Sequence, residues 1–192
     1  MSDPKNMQTL QFEVYNESFV VKRYPYSTNS DLRAWDSADS YLLNTLQSLL
    51  DLDGALPCLS SLCILNDNFG ALTIPLATYQ PVCYGDSWMS REAIEQNLKL
   101  NDSDLQLDFQ ADFDCLIDSY RPPSYVIGRV PKSKSQFAYM LQCLNTWLDE
   151  GAILLLAGMD KHLSKGQYEL IGKYFGEPSF LPGVKKARVW QA

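Results

Sequence analysis

The chain has one histidine, His162, and its five cysteines (Cys58, Cys63, Cys83, Cys115 and Cys143) are scattered without a Cys-x-x-Cys pair. A structural zinc site takes about four Cys or His ligands in close pairs, so no metal is expected and the thiols read as reduced, buried core residues. Long apolar runs are also missing. The longest, Gly151 to Met159, is strand-sized, well short of the ~18 residues that suggest a transmembrane helix, so no membrane partner is expected. The segment Met1 to Gln8 is polar and lacks the apolar core of a secretory signal, which points to the cytoplasm. Glycine and proline are neither scarce nor abundant at 10 each, and 46% hydrophobic with 20% charged residues excludes collagen-like, low-complexity and wholly disordered classes. At 192 residues and roughly 150 residues per domain, one domain with trimmings is expected.

Positive charge is in short supply overall, with a net charge of −7. That argues against an uncomplicated nucleic-acid binder, because phosphate contacts need clustered cations. The distribution is uneven, however. Residues 1–118 hold 18 acids and 6 Lys/Arg, a balance of −12, whereas residues 119–192 hold 5 acids and 10 Lys/Arg, a balance of +5. One end of the chain could therefore face an anion.

What is present is an alternation of short apolar runs and helical stretches. Leu10 to Tyr15 and Phe19 to Tyr24 read as two strands or an extended arm, placed in residues 1–28 and ended by Pro25. Leu32, Trp35, Leu42, Leu43, Leu46, Leu49 and Leu50 recur at helical spacing, predicting an amphipathic helix capped by Ser30 or Asp31 and stopped by Gly54 and Pro57. Beyond it, strands are predicted at 61–65, 81–85, 105–110, 124–130, 152–158 and 187–190. Helices are predicted at 70–79, 90–100, 134–148 and 165–175, with Ser133 and Ser164 as N-caps and Gly176 as a stop. This order implies right-handed crossovers and an α/β Rossmann-like architecture over 29–192, a mostly parallel sheet with helices on both faces.

Ligands of such sheets bind beyond the carboxyl ends of the strands, where strand order reverses. The first turn there, Asn66-Asp67-Asn68-Phe69-Gly70, keeps a single glycine and places Phe69 in the way, so it is a poor cofactor loop; its Asn and Asp side chains suit a turn that satisfies its own backbone. Asp86, after the second strand, stands where such folds hydrogen-bond a ribose, or else caps the helix near Ser90. Asp67, Gly70 and Asp86 are thus remnants of a cofactor site rather than a working one. The segment Arg129-Val130-Pro131-Lys132 follows the fourth strand without an acid, base or nucleophile, and no catalytic residue is expected in the chain. His162 reads as a surface or helix-entry residue. Arg129, Lys132, Lys134, Lys185, Lys186 and Arg188 are the candidates for phosphate contact, with a solvated strand edge as the alternative. Trp35, Trp88, Trp147 and Trp190 could stack on bases, although most large aromatics are core.

Several segments carry a resemblance: Leu32-Arg33-Ala34-Trp35-Asp36-Ser37-Ala38-Asp39-Ser40-Tyr41-Leu42-Leu43, Ile64-Leu65-Asn66-Asp67-Asn68-Phe69-Gly70-Ala71-Leu72, Gly85-Asp86-Ser87, Val130-Pro131-Lys132 and Lys185-Lys186-Ala187-Arg188. Together they resemble the N-terminal half of the bacterial ribosomal RNA guanine-N2-methyltransferases, the large-subunit enzyme more than the small-subunit one. The resemblance implies two tandem methyltransferase-like domains. The second binds S-adenosylmethionine and carries an Asn-Pro-Pro-Phe/Tyr loop; the first is a degenerate copy. Measured against the active pattern, Ile64 replaces the first strand's acid, Asn66 and Asn68 replace two glycines, and Arg129-Val130-Pro131-Lys132 replaces the catalytic loop. The expectation is a non-catalytic domain of a 23S ribosomal RNA guanine-N2-methyltransferase about twice this length. It would bind no cofactor itself, with S-adenosylmethionine in the other domain, and its partners would be ribosomal RNA and its own catalytic domain. The alternative is a pure scaffold that never touches RNA.

Overall fold

The computed structural model describes residues 11–26, 32–53 and 61–192. Two residues in the left-handed region, Tyr15 and Asn16, turn the chain between β1 (Gln11–Val14) and β2 (Glu17–Val20), an antiparallel hairpin. Helix α1 (Ser37–Asp53) follows, then β3 (Leu62–Leu65), β4 (Val82–Tyr84), α2 (Trp88–Leu100) and β5 (Asp108–Gln110). The second half runs α3 (Phe113–Ser119), β6 (Tyr125–Arg129), α4 (Lys134–Trp147), β7 (Ile153–Met159), α5 (Lys165–Phe175), β8 (Ser179–Phe180) and β9 (Ala187–Gln191).

Seven strands form one sheet in the order β5-β4-β3-β6-β7-β9-β8. The first five are parallel, β9 runs antiparallel to β7, and β8 antiparallel to β9. Strand pleating divides the interior in two. Leu62, Ile64, Ile127, Leu155, Ala157 and Val189 face a core completed by α1, α2 and the hairpin residues Phe12 and Val14. Their neighbours Cys63, Leu65, Val126, Leu154, Leu156 and Trp190 face a second core built with α3, α4 and α5. The central strands are apolar on both sides because helices cover both faces, the Rossmann-like arrangement expected for continuous runs such as Leu62-Cys63-Ile64-Leu65.

Several expectations need correction. The segment 70–79 is not an α-helix but a series of turns closed by a short 3₁₀ helix, Ala77–Tyr79. Pro75 has no N–H to give a helical ladder, and the carboxylate of Asp67 captures the N–H groups of Gly70, Leu72 and Thr73. Helix α1 begins at Ser37 rather than near Leu32. Asp36 accepts from the N–H of Ala38 at 2.8 Å while Asp39 accepts from the N–H of Asp36 at 2.8 Å, a reciprocal pair that starts a helix as a capping box does. The predicted caps Ser30 and Asp31, with Gly54, Pro57 and Cys58, lie outside the described residues. Helix α3 was not anticipated, since a short helix presents one apolar patch, Phe113, Leu116 and Ile117, although Asp112 caps it. The short edge strand β8 also escaped prediction. Of the thiols, Cys63 and Cys83 are buried, Cys143 is half-buried and Cys115 is exposed.

Candidate functional site: a cleft at the carboxyl ends of the strands

Strand order reverses between β3 and β6, and a cleft of about 470 Å³ opens there at the carboxyl ends of the strands. Its wall includes Asn66, Asp67, Asp86, Lys132, Gln136 and His162. The first turn enters it through Asn66, whose left-handed φ of 55° follows directly on β3. The Asn66 amide donates to the carbonyl of Arg129 at 3.3 Å, bridging the end of β3 to the end of β6. Where a glycine would leave backbone open to a ligand, a side chain closes the gap.

Asp67 goes further. Its carboxylate is buried and accepts from the N–H groups of Phe69 (3.3 Å), Gly70 (2.9 Å), Leu72 (2.9 Å) and Thr73 (2.8 Å), and from the Thr73 hydroxyl at 2.8 Å. Converging backbone N–H groups make an anion cradle, and here the chain's own carboxylate occupies it. Gly70, at φ 96°, is required by the same turn, because a Cβ there would come within 2.7 Å of the Ile74 side chain. Phe69 does not obstruct the cleft: it is half-buried against the core, with the Arg23 guanidinium 5.0 Å from its ring centroid. Asp86 is exposed and accepts from the Gln136 amide at 2.7 Å across the cleft. It does not cap α2, a task performed by Ser87.

The candidate cations separate by what they touch. Arg129 is largely buried and donates to both oxygens of Asp36 (2.8 and 2.9 Å) and to Asp39 at 2.5 Å, tying the end of β6 to the first turn of α1. Its guanidinium is committed to two carboxylates, so it leaves the set of surface cations in which its position had placed it. Burial drives the Asp39 carboxyl up to about 6 despite the guanidinium beside it. At Asp36, burial acts in the same direction, but the bonds from Arg129 and from backbone N–H groups prevail and hold its carboxyl below the usual range. Lys132 and Lys134 are exposed after β6, and Lys132 lines the cleft. Lys185 and Lys186 are exposed, both in the left-handed region of the turn before β9. Since β9 runs antiparallel from Ala187 opposite Met159, that turn lies at the same carboxyl edge as Lys132, with β7 between them. Arg188 is paired with Asp160 at 2.5 Å, an exposed bridge. His162 is exposed at the end of the 3₁₀ turn Asp160–His162 and also faces the cleft. Trp147 and Trp190 are core, whereas Trp88 is 68% exposed. Among the described residues, no cluster of His, Cys, Asp and Glu could hold a metal ion, and no helix is long and apolar enough to cross a membrane.

A family model described as RLMG N-terminal domain matches residues 9–192. The chain belongs to that family. Ribosomal RNA large subunit methyltransferase G of Alcanivorax borkumensis is 38% identical over 181 residues, covering 90% of this chain and 45% of that protein. The protein of the same name from Stutzerimonas stutzeri is 36% identical over 176 residues, covering 91% of this chain and 45% of its own length. The chain thus spans about half the length of the curated relatives it matches. Among solved structures, the Thermus thermophilus 16S rRNA N2 G1207 methyltransferase RsmC, in complex with AdoMet and guanosine, superposes with a TM-score of 0.69 at 19% identity, over 95% of this chain and 49% of that one. A putative SAM-dependent methyltransferase from Streptococcus mutans gives 0.65 at 14% identity, over 100% and 56%. At these identities the likeness is one of fold.

For an RLMG N-terminal domain, then, the methyltransferase fold is intact while the N–H groups of its first turn are taken by Asp67. Asn66 links the end of β3 to the end of β6, and Asp67 saturates the N–H groups of Gly70, Leu72 and Thr73. The pairing of Arg129 with Asp36 and Asp39 was missed in the sequence. The signal was Asp36-x-x-Asp39 ahead of Tyr41-Leu42-Leu43, which marks a helix start, but the partner lies 93 and 90 residues away.

Proposed function

We propose that this chain is the non-catalytic N-terminal unit of an S-adenosylmethionine-dependent enzyme that methylates guanine N2 of large-subunit ribosomal RNA. In that role it binds no cofactor, supports a catalytic domain and offers cations to the RNA. The observation that carries the reading is the carboxylate of Asp67 filling the amide cradle of the first turn. Family membership and the shared names of relatives about twice as long support the parent activity. Lys132, Lys134, Lys185 and Lys186 are the RNA-facing candidates, with Arg188 secondary because Asp160 already holds it.

Two measurements test this. Calorimetry of S-adenosylmethionine into the chain should give no binding heat; micromolar binding overturns the self-filled turn. In the full-length enzyme, charge reversal at Lys185 and Lys186 should flatten the salt dependence of RNA affinity by roughly 0.7 to 0.9 in log–log slope per lost phosphate contact, with cofactor affinity unchanged. A scaffold without RNA contact is the second reading, favoured by adjacent exposed Trp88 (68%) and Met89 (47%) at the start of α2, an apolar pair suited to burial against another domain. Unchanged RNA affinity and salt slope in the double reversal would make this basic segment a solvated edge and favour the scaffold.

A further inference from the structure

The acidic part of the chain contains a basic exception. Of the six Lys/Arg in residues 1–118, three, namely Lys22, Arg23 and Lys99, line one cavity of about 320 Å³ between the segment after β2 and the second half of α2. Tyr24 and Tyr26 line it as well, Ala93 and Leu100 supply apolar wall, and no acid is among its lining residues. Glu92, on the same helix, is engaged by the Gln96 amide at 2.9 Å. The described ion pairs include none of the three cations. Lys22 Nζ lies 5.2 Å from the Tyr26 ring centroid, and Arg23 stacks on Phe69 and donates to the carbonyl of Arg33 at 3.4 Å. Tyr26 is 55% exposed, a large aromatic at the surface with positive charge beside it.

The cavity is built on a fixed frame. Asn97, buried on α2, accepts from the N–H of Lys22 (2.9 Å) and donates to its carbonyl (2.8 Å), while its amide also reaches the carbonyl of Phe69 (2.8 Å). One turn later, Asn101 does the same for Val20, at 2.8 Å in each direction. Two asparagine side chains thus act as a strand edge, holding the segment in register along the helix. Val20 and Lys22 are thereby held along α2, and the Lys22 ammonium lies over the Tyr26 ring.

We infer that this notch is a subsite for one nucleotide of single-stranded RNA, its base on Tyr26 and its flanking phosphates met by Lys22, Arg23 and Lys99. The inference rests on the reading of the parent as an RNA enzyme and adds a second contact region, toward the end of α2 away from the cleft. A cavity near the lower end of the roughly 300–1,000 Å³ range of small-ligand pockets suits a single nucleoside. Aromatic face plus surrounding cations is the combination that binds single strands without reading sequence.

The test is fluorescence anisotropy of this chain with a labelled single-stranded oligoribonucleotide and with the duplex of the same sequence, across a salt series. The variants are Tyr26→Ala, the pair Lys22→Glu with Lys99→Glu, and the pair Lys185→Glu with Lys186→Glu, each checked for retained fold by circular dichroism. The single strand should bind more tightly than the duplex. Tyr26→Ala should weaken it by roughly 5- to 150-fold, the usual worth of one stacked base. The Lys22/Lys99 pair should lower the salt slope by about 1.4, at about 0.7 per single-strand contact. Wild-type affinity and slope in both notch variants, with loss in the Lys185/Lys186 pair, overturns the subsite and leaves the proposed function standing. No binding by any version overturns both. Equal competition by an acidic peptide assigns the notch to a protein partner and overturns the RNA inference.

Discussion

Replacing Asp67 by alanine should be one of the most damaging single changes this chain can suffer, for reasons that are local. The carboxylate satisfies the N–H groups of Gly70, Leu72 and Thr73 and the Thr73 hydroxyl within 2.9 Å, with Phe69 N–H at 3.3 Å. A buried donor left without a partner costs about 1–3 kcal/mol, and bonds to a charged acceptor are the stronger kind. Simple addition over these donors would overshoot, because the emptied space adjoins the cleft and admits water, and the turn can relax. A loss of about 3–5 kcal/mol is expected, large against the 5–15 kcal/mol typical of a domain. In urea unfolding followed by far-ultraviolet circular dichroism, a slope of about 2 kcal/mol/M converts this to a midpoint lower by about 2 M. The vacated amides should then accept a small carboxylate. Sodium formate should raise the melting temperature of Asp67→Ala more than equimolar sodium chloride does, an increment absent from the wild type. A loss below about 1 kcal/mol, or no formate-specific increment, would refute the claim that this carboxylate holds the turn as an internal ligand.

Three further outcomes follow from other contacts. Gly128→Ala places a Cβ within 2.7 Å of the Leu65 carbonyl oxygen and 2.6 Å of its Cβ, on strands that are directly paired, so a loss of about 1–3 kcal/mol by denaturant titration is expected; a neutral result would mean that β3 and β6 separate freely at that end. Arg129→Met leaves the buried Asp39 without its cation and should cost about 3–5 kcal/mol near neutral pH, read in the same titration. Asp39 also sets a pH dependence: its carboxyl is raised to about 6 from an ordinary 3.8, so between those values the folded chain holds a proton the unfolded chain has lost. Stability should therefore fall as pH rises from about 4 to 6, by up to about 3 kcal/mol at about 1.4 kcal/mol per unit. Asp39→Asn should flatten that interval, and an unchanged slope would refute the assignment.

Hydrophobic period and cap chemistry determined much of this protein before any fold was known. Runs such as Leu62-Cys63-Ile64-Leu65 and Ile153-Leu154-Leu155-Leu156 read as strands and are strands covered on both faces, and Ser133 and Ser164 do open α4 and α5, because these signals reside within a few residues of chain. The turn after β3 was legible as one that its own Asn and Asp side chains serve, and Asp67 does accept from the N–H groups of Gly70, Leu72 and Thr73. Tertiary structure decided everything that needed two distant segments. Gly70 to Tyr79 has helical apolar spacing, yet Asp67 and Pro75 divert its backbone into turns. Arg129 reads as a free cation after a strand until α1 brings Asp36 and Asp39 against it. Lys22, Arg23 and Lys99 are single cations in acidic sequence until Asn97 and Asn101 hold the segment after β2 along α2. Local patterns record which face of an element avoids water, whereas the partner of a charge depends on which elements the sheet order makes neighbours, and no spacing within one element encodes that.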